Sequence, residues 1–199
     1  IGSGKDPGKG SDRIATSTRH MMEILNAAKS LQEALREGAE MEVRSVQIGP
    51  HIENAVQIVR TRHPEAVIEL ENDPGEVEVM ANELLSSVFE NLIANGVQHS
   101  DREHPEVRVS VRRRKESVEV LVADDGPGIP PAHREAIFAE EERSLESSGM
   151  GLGLYLVQTL IDLYEGSVEI DENEPRGAVF RVNLRLSSST SGSEEASPE

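Results

Sequence analysis

The sequence predicts an α+β protein whose main unit is a two-layer α/β sandwich with a mixed, mostly antiparallel sheet. Two long segments, 82–99 and 152–164, carry apolar residues at helical spacing. Several short segments alternate apolar and polar residues as half-buried strands do, and two of them, 107–113 and 118–123, can form a hairpin around Lys115-Glu116. Helices and strands in this arrangement pack as one layer against another, and a hydrophobic content of 36% supplies the core.

The other elements of the sandwich can be assigned in chain order from the same patterns. Strands are predicted at 67–71 and 76–80, before the first long helix, and at 167–170 and 178–184, after the second. A loop-rich stretch is predicted at 124–149, between the hairpin and the second long helix.

Residues 12–62 are predicted to be helical in two parts. The first part has apolar residues seven positions apart, which is the spacing of a coiled-coil seam, and it can end at Gly38. Such a narrow seam needs a partner helix, from another copy of the chain or from sequence upstream. The second part, 51–62, is a shorter amphipathic helix that stops at His63-Pro64. The residues of the seam are Ile14, Met21, Ala28 and Leu35, with Ser17, Ile24 and Leu31 between them.

Composition excludes several classes of function. Thirty-seven acidic residues against 20 basic ones give a net charge of −17, which repels nucleic acid and anionic lipid. The chain has no Cys, and no apolar run approaches the roughly 20 residues of a membrane span. We therefore expect a cytoplasmic location for this chain, with any membrane anchor lying elsewhere in a full-length protein. The acidic surface with few lysines fits life in concentrated salt, or an ordinary acidic cytosolic protein.

The two ends of the chain are predicted to lie outside the folded unit. Residues 1–11 form a Gly-rich leader, whose Gly-Lys pairs lack the spacing of a P-loop. Residues 187–199 contain no apolar side chain larger than Ala and are predicted to be a disordered tail.

The first candidate motif is ENLIANGVQHS at 90–100, on the first long helix. Asn91 and Asn95 are four residues apart, so both amides project from one helical face. An Asn amide oxygen is a suitable ligand for a hard cation such as Mg²⁺, which keeps waters and substrate phosphates as its other ligands. The alternative is a pair of surface or capping asparagines.

The second candidate motif, DDGPGIP at 124–130, directly follows a strand. Gly126 and Gly128 let the backbone approach a flat ligand, and the prolines stiffen the turn. A buried carboxylate at the strand end can accept a hydrogen bond from an exocyclic amine, and Asp124 is better placed for this than Asp125. The alternative is an ordinary polar turn.

The third candidate motif is GMGLGLYLV at 149–157. Gly149, Gly151 and Gly153 come before or at the start of a helix, where backbone N–H groups can surround a phosphate. The pattern is not G-x-G-x-x-G and it follows a loop, which disfavours a dinucleotide-binding fold. The alternative is a structural glycine hinge.

In this order, and on these elements, the three segments resemble the N, G1 and G2 boxes of sensor histidine kinases. That family shares the Bergerat-type ATP-binding fold with gyrase, the ninety-kilodalton heat-shock chaperone and the mismatch-repair ATPase. The resemblance covers about 65–186 and implies an ATP-binding catalytic domain there. It also implies that 12–62 is the second dimerisation helix and the connector.

The resemblance implies a set of ATP- and Mg²⁺-binding residues. Asn95 would coordinate Mg²⁺, Asn91 would assist at the phosphates, and Asp124 would read the adenine amine. The glycines would shape the adenine pocket and cradle the phosphates. The full implied set is Asn91, Asn95, Asp124, Gly126, Gly128, Ile129, Gly149, Met150, Gly151, Leu152, Gly153 and Leu154, with Arg143 as a candidate cation for the γ-phosphate.

The resemblance further implies a mobile lid at 131–148, and here the sequence departs from the family pattern. Phe138 fits the family's F box, but the second aromatic residue expected after it is missing. Gln98 stands where the family often has a Lys, which puts a phosphate contact at that position in doubt.

No histidine of the chain is identified as a phosphoacceptor. Sensor kinases follow the acceptor His with an acid and then a Pro, and none of the six histidines fits that pattern. His20 lies on the predicted long helix beside its seam, where a packed or solvent-edge histidine is the expected role. The fragment alone is therefore predicted to bind ATP without phosphorylating itself.

The predicted function is the catalytic domain of a two-component kinase. It would transfer the ATP γ-phosphoryl group to a histidine on a dimerisation helix and work with a homodimeric copy and a response regulator receiver domain. Hydrolysing relatives place a Glu where this chain has Asn91, which favours a kinase over an ATPase. An anti-sigma-type serine kinase and a non-catalytic nucleotide-sensing module are the alternatives on the same fold.

Overall fold

The computed structural model describes residues 42–72, 74–134, 136–138 and 151–187. These residues form seven strands, four α-helices and a short 3₁₀ helix at Ala136–Phe138. The strands are β1 (Arg44–Gln47), β2 (Val67–Leu70), β3 (Glu78–Ala81), β4 (Glu106–Arg113), β5 (Ser117–Asp124), β6 (Ser167–Glu172) and β7 (Ala178–Arg185). The α-helices are α1 (Ile48–Arg62), α2 (Leu85–Gln98), α3 (Pro131–Arg134) and α4 (Gly151–Leu163).

The strands form two sheets. The larger has five strands in the order β2-β4-β5-β7-β6, and the smaller pairs β1 with β3. β2 runs parallel to β4, whereas all the other neighbouring strands are antiparallel. The predicted hairpin is β4–β5, in which Arg113 pairs with Val118 across the turn. The predicted mixed, mostly antiparallel sheet is therefore confirmed.

The helices form the second layer and share one core with the sheet. Alternate residues of β5, Val118, Val120 and Val122, are buried in the core that the sheet shares with α1, α2 and α4. Phe89 of α2 and Tyr164, just after α4, are among the largest fully buried side chains. The sandwich predicted from the sequence is thus the observed architecture.

Helix α1 differs from its prediction in extent and in position. It begins at Ile48, three residues earlier than predicted, because Ile48 is itself buried and its N–H donates to Val77 O at 2.9 Å. Its buried face, with Ile52 and Val59, belongs to the core of the sandwich. The helix therefore lies in the helical layer, whereas the sequence assignment grouped it with the connector.

Strand β1 was not predicted, and it links the beginning of the described chain to its end. β1 pairs with β3, and on the other side of β3 Val79 forms a bridge with Leu186. Ser187, assigned to the tail in the prediction, is buried and its N–H donates to Glu78 O at 2.9 Å. The predicted leader, the long helix and residues 188–199 lie outside the described residues.

Candidate nucleotide-binding site

Helix α2 presents Asn91 and Asn95 on one face, as their spacing predicts. The Asn91 Nδ2 group donates to Ser87 O at 2.7 Å, one turn earlier in the same helix, and its Oδ1 faces Gly153 of α4. The Asn95 Nδ2 atom is buried and has no hydrogen-bond partner among the described residues. Because an unpaired buried amide is costly, Asn95 is a natural candidate for contact with a ligand.

Asp124 ends β5 as a buried carboxylate, with 7% of its surface exposed. Its Oδ1 accepts two backbone hydrogen bonds, from Gly126 N–H at 2.9 Å and from Ala178 N–H at 3.1 Å. Burial raises the pKa of Asp124, and the two N–H groups partly offset this effect. Among the described residues no partner is found for Oδ2, so one carboxylate oxygen is available to a donor.

Asp125 has a different environment from Asp124. Its Oδ1 accepts from Ser100 Oγ and from Glu106 N–H, both at 3.2 Å, and its Oδ2 lies 3.3 Å from Arg102 Nε. Both of its oxygens are thus used by the segment between α2 and β4. The geometry therefore favours Asp124 over Asp125 as the recognition carboxylate.

Gly96 brings α2 and the end of β5 together. A Cβ on Gly96 would lie 3.0 Å from Val107 Cγ2 and 3.1 Å from Asp124 Cβ, so the helix packs closely on the strand end. Gly96 directly follows Asn95, so the helix position that carries the unpaired amide nitrogen lies next to the position that packs on Asp124.

The turn after Asp124 is arranged by its two glycines. A Cβ on Gly126 would lie 3.0 Å from Asp124 Oδ1 and 3.5 Å from His99 O. Gly128 has φ +77°, and a Cβ there would lie 3.0 Å from Gly177 O. Ile129 is half-buried against the core and its carbonyl accepts from Arg134 Nε at 3.0 Å. These contacts fit the expectation that the turn shapes a pocket wall.

The loop between β6 and β7 completes the surroundings of Asp124, and the sequence analysis missed it. We call residues 173–177 the hairpin tip. Asn173 Nδ2 donates to Asp124 O at 2.7 Å, and Gly177, at φ +117°, packs directly on the same carbonyl. The only signals in the sequence were a glycine and an asparagine in a predicted turn.

Helix α4 begins at Gly151, one residue earlier than the sequence predicts. Gly151 and Gly153 therefore both lie in its first turn, whereas Gly151 was expected in the loop before it. A Cβ on Gly153 would lie 2.6 Å from Asn91 Oδ1, so this glycine allows α4 to pack against α2. The side chain of Leu154 is 1% exposed and belongs to the core.

Several predicted site residues lie outside the described residues. Gly149, Met150 and Arg143 are among them, with most of the predicted lid, and so is His20. Leu152 lies in α4, but its side chain is not described. At the start of the lid, Phe138 packs edge-on against Phe180, with the ring centroids 6.5 Å apart.

Glu90 points away from the two asparagines. Its carboxylate forms an ion pair with Arg62, which ends α1. Glu90 therefore serves the contact between α1 and α2, as its position about 100° around the helix from Asn91 predicts.

The described residues contain no cluster of three or more His, Asp or Glu side chains that could hold a metal by themselves. A cation here would need ligands from a bound molecule as well as the Asn95 amide. This is the usual situation for Mg²⁺ bound with a nucleotide, which keeps waters and phosphate oxygens.

Comparison with known proteins gives the family. Residues 80–188, more than half of the chain, match the family described as histidine kinase-, DNA gyrase B- and HSP90-like ATPase. The chain belongs to this family. The matched region begins in β3 and contains the two asparagines, Asp124 and α4, so the expected ATPase-type fold is confirmed.

Similar members of the family are sensor kinases. The chain is 33% identical over 183 residues to the sensor histidine kinase MtrB of Mycobacterium leprae, covering 88% of this chain and 31% of that protein. It is 37% identical over 103 residues to the sensor histidine kinase CpxA of Escherichia coli, covering 49% and 22%. The chain spans less than a third of the length of these two relatives.

Solved structures agree on the fold. The ATP binding domain of PrrB from Mycobacterium tuberculosis superposes with a TM-score of 0.60 at 25% identity, covering 74% of this chain and 99% of that one. The prediction of a histidine kinase catalytic ATP-binding domain is therefore confirmed. No helix within the described ranges is long and apolar enough to cross a membrane.

Proposed function

We propose that this chain binds ATP together with Mg²⁺ and donates the γ-phosphoryl group to a histidine of a dimerisation helix in a two-component sensor kinase. One observation carries the proposal. Among the described residues, the buried carboxylate of Asp124 has one oxygen without a partner, and Asp124 packs against Gly96 of α2. The preceding residue of that helix, Asn95, has a buried amide nitrogen that also lacks a partner there. One group suits the amine of adenine and the other suits the metal and phosphate end of the nucleotide.

Asp124 would select adenine through its free oxygen. When ionised it can only accept hydrogen bonds, so it suits the 6-amino group of adenine and opposes the 6-carbonyl of guanine or hypoxanthine. Its Oδ1 is held by Gly126 and Ala178, which fixes the direction of Oδ2. Base selection then follows from a single oriented acceptor.

Asn95 would hold the Mg²⁺ that accompanies the triphosphate. The buried terminal nitrogen of its amide has no partner among the described residues, and exchanging the amide nitrogen and oxygen places an acceptor at that position. Bound Mg²⁺ neutralises charge that develops on the phosphate oxygens during transfer. Asn91, whose Oδ1 faces α4, would assist at the phosphates, and the first turn of α4 would supply N–H groups to them.

The site favours transfer over hydrolysis. Hydrolysis needs a group that activates water, whereas a neutral imidazole nitrogen is already a nucleophile. In the transfer, the imidazole nitrogen forms a bond to the γ-phosphorus, the bond to the β–γ bridging oxygen breaks, and ADP leaves. Glu90 is not placed to activate water, because its carboxylate is paired with Arg62 of α1 and lies about 100° around α2 from Asn91.

The partners follow from the proposed role. The helix predicted at 12–37 would pair through its coiled-coil seam with a second copy of the chain, and the acceptor histidine would come from a neighbouring helix. A response regulator receiver domain would take the phosphoryl group onward. We propose 65–186 as the core of the catalytic domain, preceded by α1, in a cytoplasmic part of a longer protein.

Titration calorimetry of the purified chain tests nucleotide binding. We expect ATP and ADP to bind with Mg²⁺ in the micromolar to sub-millimolar range, and GTP and inosine triphosphate to bind more weakly. Equal affinity for ATP and GTP would contradict the role of Asp124. A separate experiment tests the alternative of an anti-sigma-type serine kinase. The chain is incubated with γ-labelled ATP and an added protein, and acid-stable label on a serine of that protein would support this alternative.

A further inference from the structure

We infer that the hairpin tip between β6 and β7 sets the base selectivity of the nucleotide site, and that Asn173 is its positioning residue. The inference rests on the proposed adenine recognition by Asp124. It assigns a role to a segment that comes 49 residues after Asp124 in the chain and carries none of the three motifs.

The hairpin tip and the first residue of β7 together hold Asp124 at its main chain and at its side chain. Asn173 Nδ2 donates to Asp124 O at 2.7 Å, and Ala178 N–H donates to Asp124 Oδ1 at 3.1 Å. A residue held at both points cannot turn its side chain without breaking a hydrogen bond. The orientation of the free Oδ2 is therefore fixed largely from outside β5.

Gly177 makes this contact possible. A Cβ on Gly177 would lie 1.8 Å from Asp124 O, a distance at which no side chain fits, and its φ of +117° also disfavours any other residue. The Asn173 N–H donates to Gly177 O at 3.0 Å and closes the tip upon itself. The tip is thus shaped so that the Asn173 amide reaches the Asp124 carbonyl.

The hairpin tip is also fastened on its other side. Arg176 Nη2 lies 2.5 Å from Asp101 Oδ2, in the segment that follows α2. The hydrogen bond and charge of Arg176 lower the pKa of Asp101. Asn173 on one side of the hairpin tip therefore holds the end of β5, and Arg176 on the other side holds the segment that follows α2.

Asn173 has no direct contact with the nucleotide in this inference, so its effect should appear in selectivity. A correctly aimed Oδ2 distinguishes a 6-amino group from a 6-carbonyl group, whereas a loosely held one distinguishes them poorly. General loss of stability would weaken binding of both nucleotides alike. The ratio of the two dissociation constants is therefore the readout that a merely structural role would not change.

The test compares ATP with inosine triphosphate, each with Mg²⁺, by calorimetry on the purified chain and its variants. Asn173→Ala should weaken ATP binding about three- to tenfold, the range for losing one neutral hydrogen bond, with little change for inosine triphosphate. Asn173→Asp places an acceptor against the Asp124 carbonyl and should reduce the ATP preference further. Asn183→Ala is the matched control, since it removes an amide that contacts Ser167 Oγ, at 3.3 Å, near the opposite end of the same strands.

The outcomes separate the inference from the function on which it rests. If the unchanged chain prefers ATP and Asn173→Ala keeps the full preference, the inference is wrong while the adenine assignment stands. If the unchanged chain has no preference, both are wrong. Thermal unfolding checks whether Asn173→Ala is folded. If it is not, Asn173→Gln replaces it, because this variant keeps the amide but displaces it by one methylene. An unchanged ratio of the two dissociation constants in Asn173→Gln also overturns the inference.

Discussion

The α-carbon of Gly153 faces the side chain of Asn91 so closely that a Cβ on Gly153 would lie 2.6 Å from Asn91 Oδ1. The Asn91 amide cannot withdraw freely, because its Nδ2 donates to Ser87 O. The contact fixes how closely α4 approaches α2, the helix that carries Asn91. The two helices that would surround the phosphates thus meet at a residue without a side chain.

Gly153→Ala should therefore displace Asn91 or push α4 away from α2. Overpacking of this kind costs about 1–3 kcal/mol, and we expect the free energy of unfolding and the affinity for ATP with Mg²⁺ to fall together. Gly49→Ala is the control in α1, since its Cβ would meet only ordinary contacts from 3.5 Å, and a helical Gly→Ala change gains up to about 1 kcal/mol. Chemical denaturation measures the free energy of unfolding of the two variants, and equal changes in Gly153→Ala and Gly49→Ala would contradict the proposed packing.

Asn95→Ala should remove the Mg²⁺-dependent part of ATP binding. Within the part of the chain that the structure describes, the Asn95 Nδ2 group makes no hydrogen bond, so the fold should lose little stability. Calorimetry with ATP, in the presence and in the absence of Mg²⁺, gives the part of the binding free energy that depends on the metal. Asn54→Ala, at an exposed position of α1, should leave that part unchanged. If ATP binding by Asn95→Ala still depends on Mg²⁺, Asn95 does not hold the cation.

Asp124→Asn should reverse the base preference with little change in structure. The Asn oxygen can accept from Gly126 and Ala178 as Oδ1 does now, while an NH₂ group replaces the free acceptor. We expect ATP binding to fall roughly 10- to 100-fold, as for loss of a hydrogen bond to a charged group, even without metal. Inosine triphosphate should lose less or gain. Parallel losses for both nucleotides would argue against base reading at Asp124.

The same carboxylate predicts how ATP binding depends on pH. Burial raises the pKa of Asp124, so protonation converts its acceptor to a donor at a pH above the ordinary value of about 3.9 for Asp. ATP affinity should therefore fall as the pH is lowered through this raised pKa. Asp124→Asn has no such group and should show a flatter profile, and identical profiles in the two proteins would contradict this expectation.

Glu119 predicts a separate sensitivity to acid that concerns stability alone. It lies on β5, 3% exposed, with ion pairs to Arg114 at 2.7 Å and to Arg181 at 2.9 Å. Burial alone raises its pKa, but the two arginines outweigh burial and lower the pKa of Glu119 in the folded protein. Because the folded state releases this proton more readily than the unfolded state, the stabilisation is present above the ordinary Glu pKa of about 4.3 and is lost as the pH falls through the lowered value.

Glu119→Gln measures that contribution. The variant keeps the shape of the side chain but cannot titrate, so its free energy of unfolding should decline less steeply between about pH 5 and pH 3. Denaturation curves across that range, with Glu169→Gln on an exposed position of β6 as the control, give the comparison. A decline as steep in Glu119→Gln as in the parent would assign the acid sensitivity to other carboxylates.

The sequence was sufficient to predict those parts of the site that depend only on neighbouring residues in the chain. Asn91 and Asn95 share a helical face because of their spacing, and Asp124 ends a strand that alternation alone identifies. These features depend on neighbours within one turn or one strand. They therefore survive in the folded chain as the sequence predicts.

The parts that were missed depend on contacts between distant segments. Strand β1 has only one partly buried side chain, Val46, and is held by pairing with β3, so its own pattern is weak. Gly151 has a low intrinsic helix propensity, yet it is the first residue of α4, two positions before the glycine that packs against Asn91. The hydrogen bond from Asn173 to Asp124 joins a loop to the end of β5, and no local pattern connects these two segments.

Phosphoryl transfer to a supplied acceptor tests the central claim most directly. The chain is incubated with Mg²⁺, γ-labelled ATP and a helical hairpin that carries the acceptor histidine of the full-length kinase, and the products are then treated with acid. We predict no label on the chain alone, and label on the hairpin that is lost in acid, as phosphohistidine is. Asn95→Ala should abolish that label. Acid-labile label on the chain itself that disappears in His20→Ala, or no label on the hairpin despite tight ATP binding, would contradict the account.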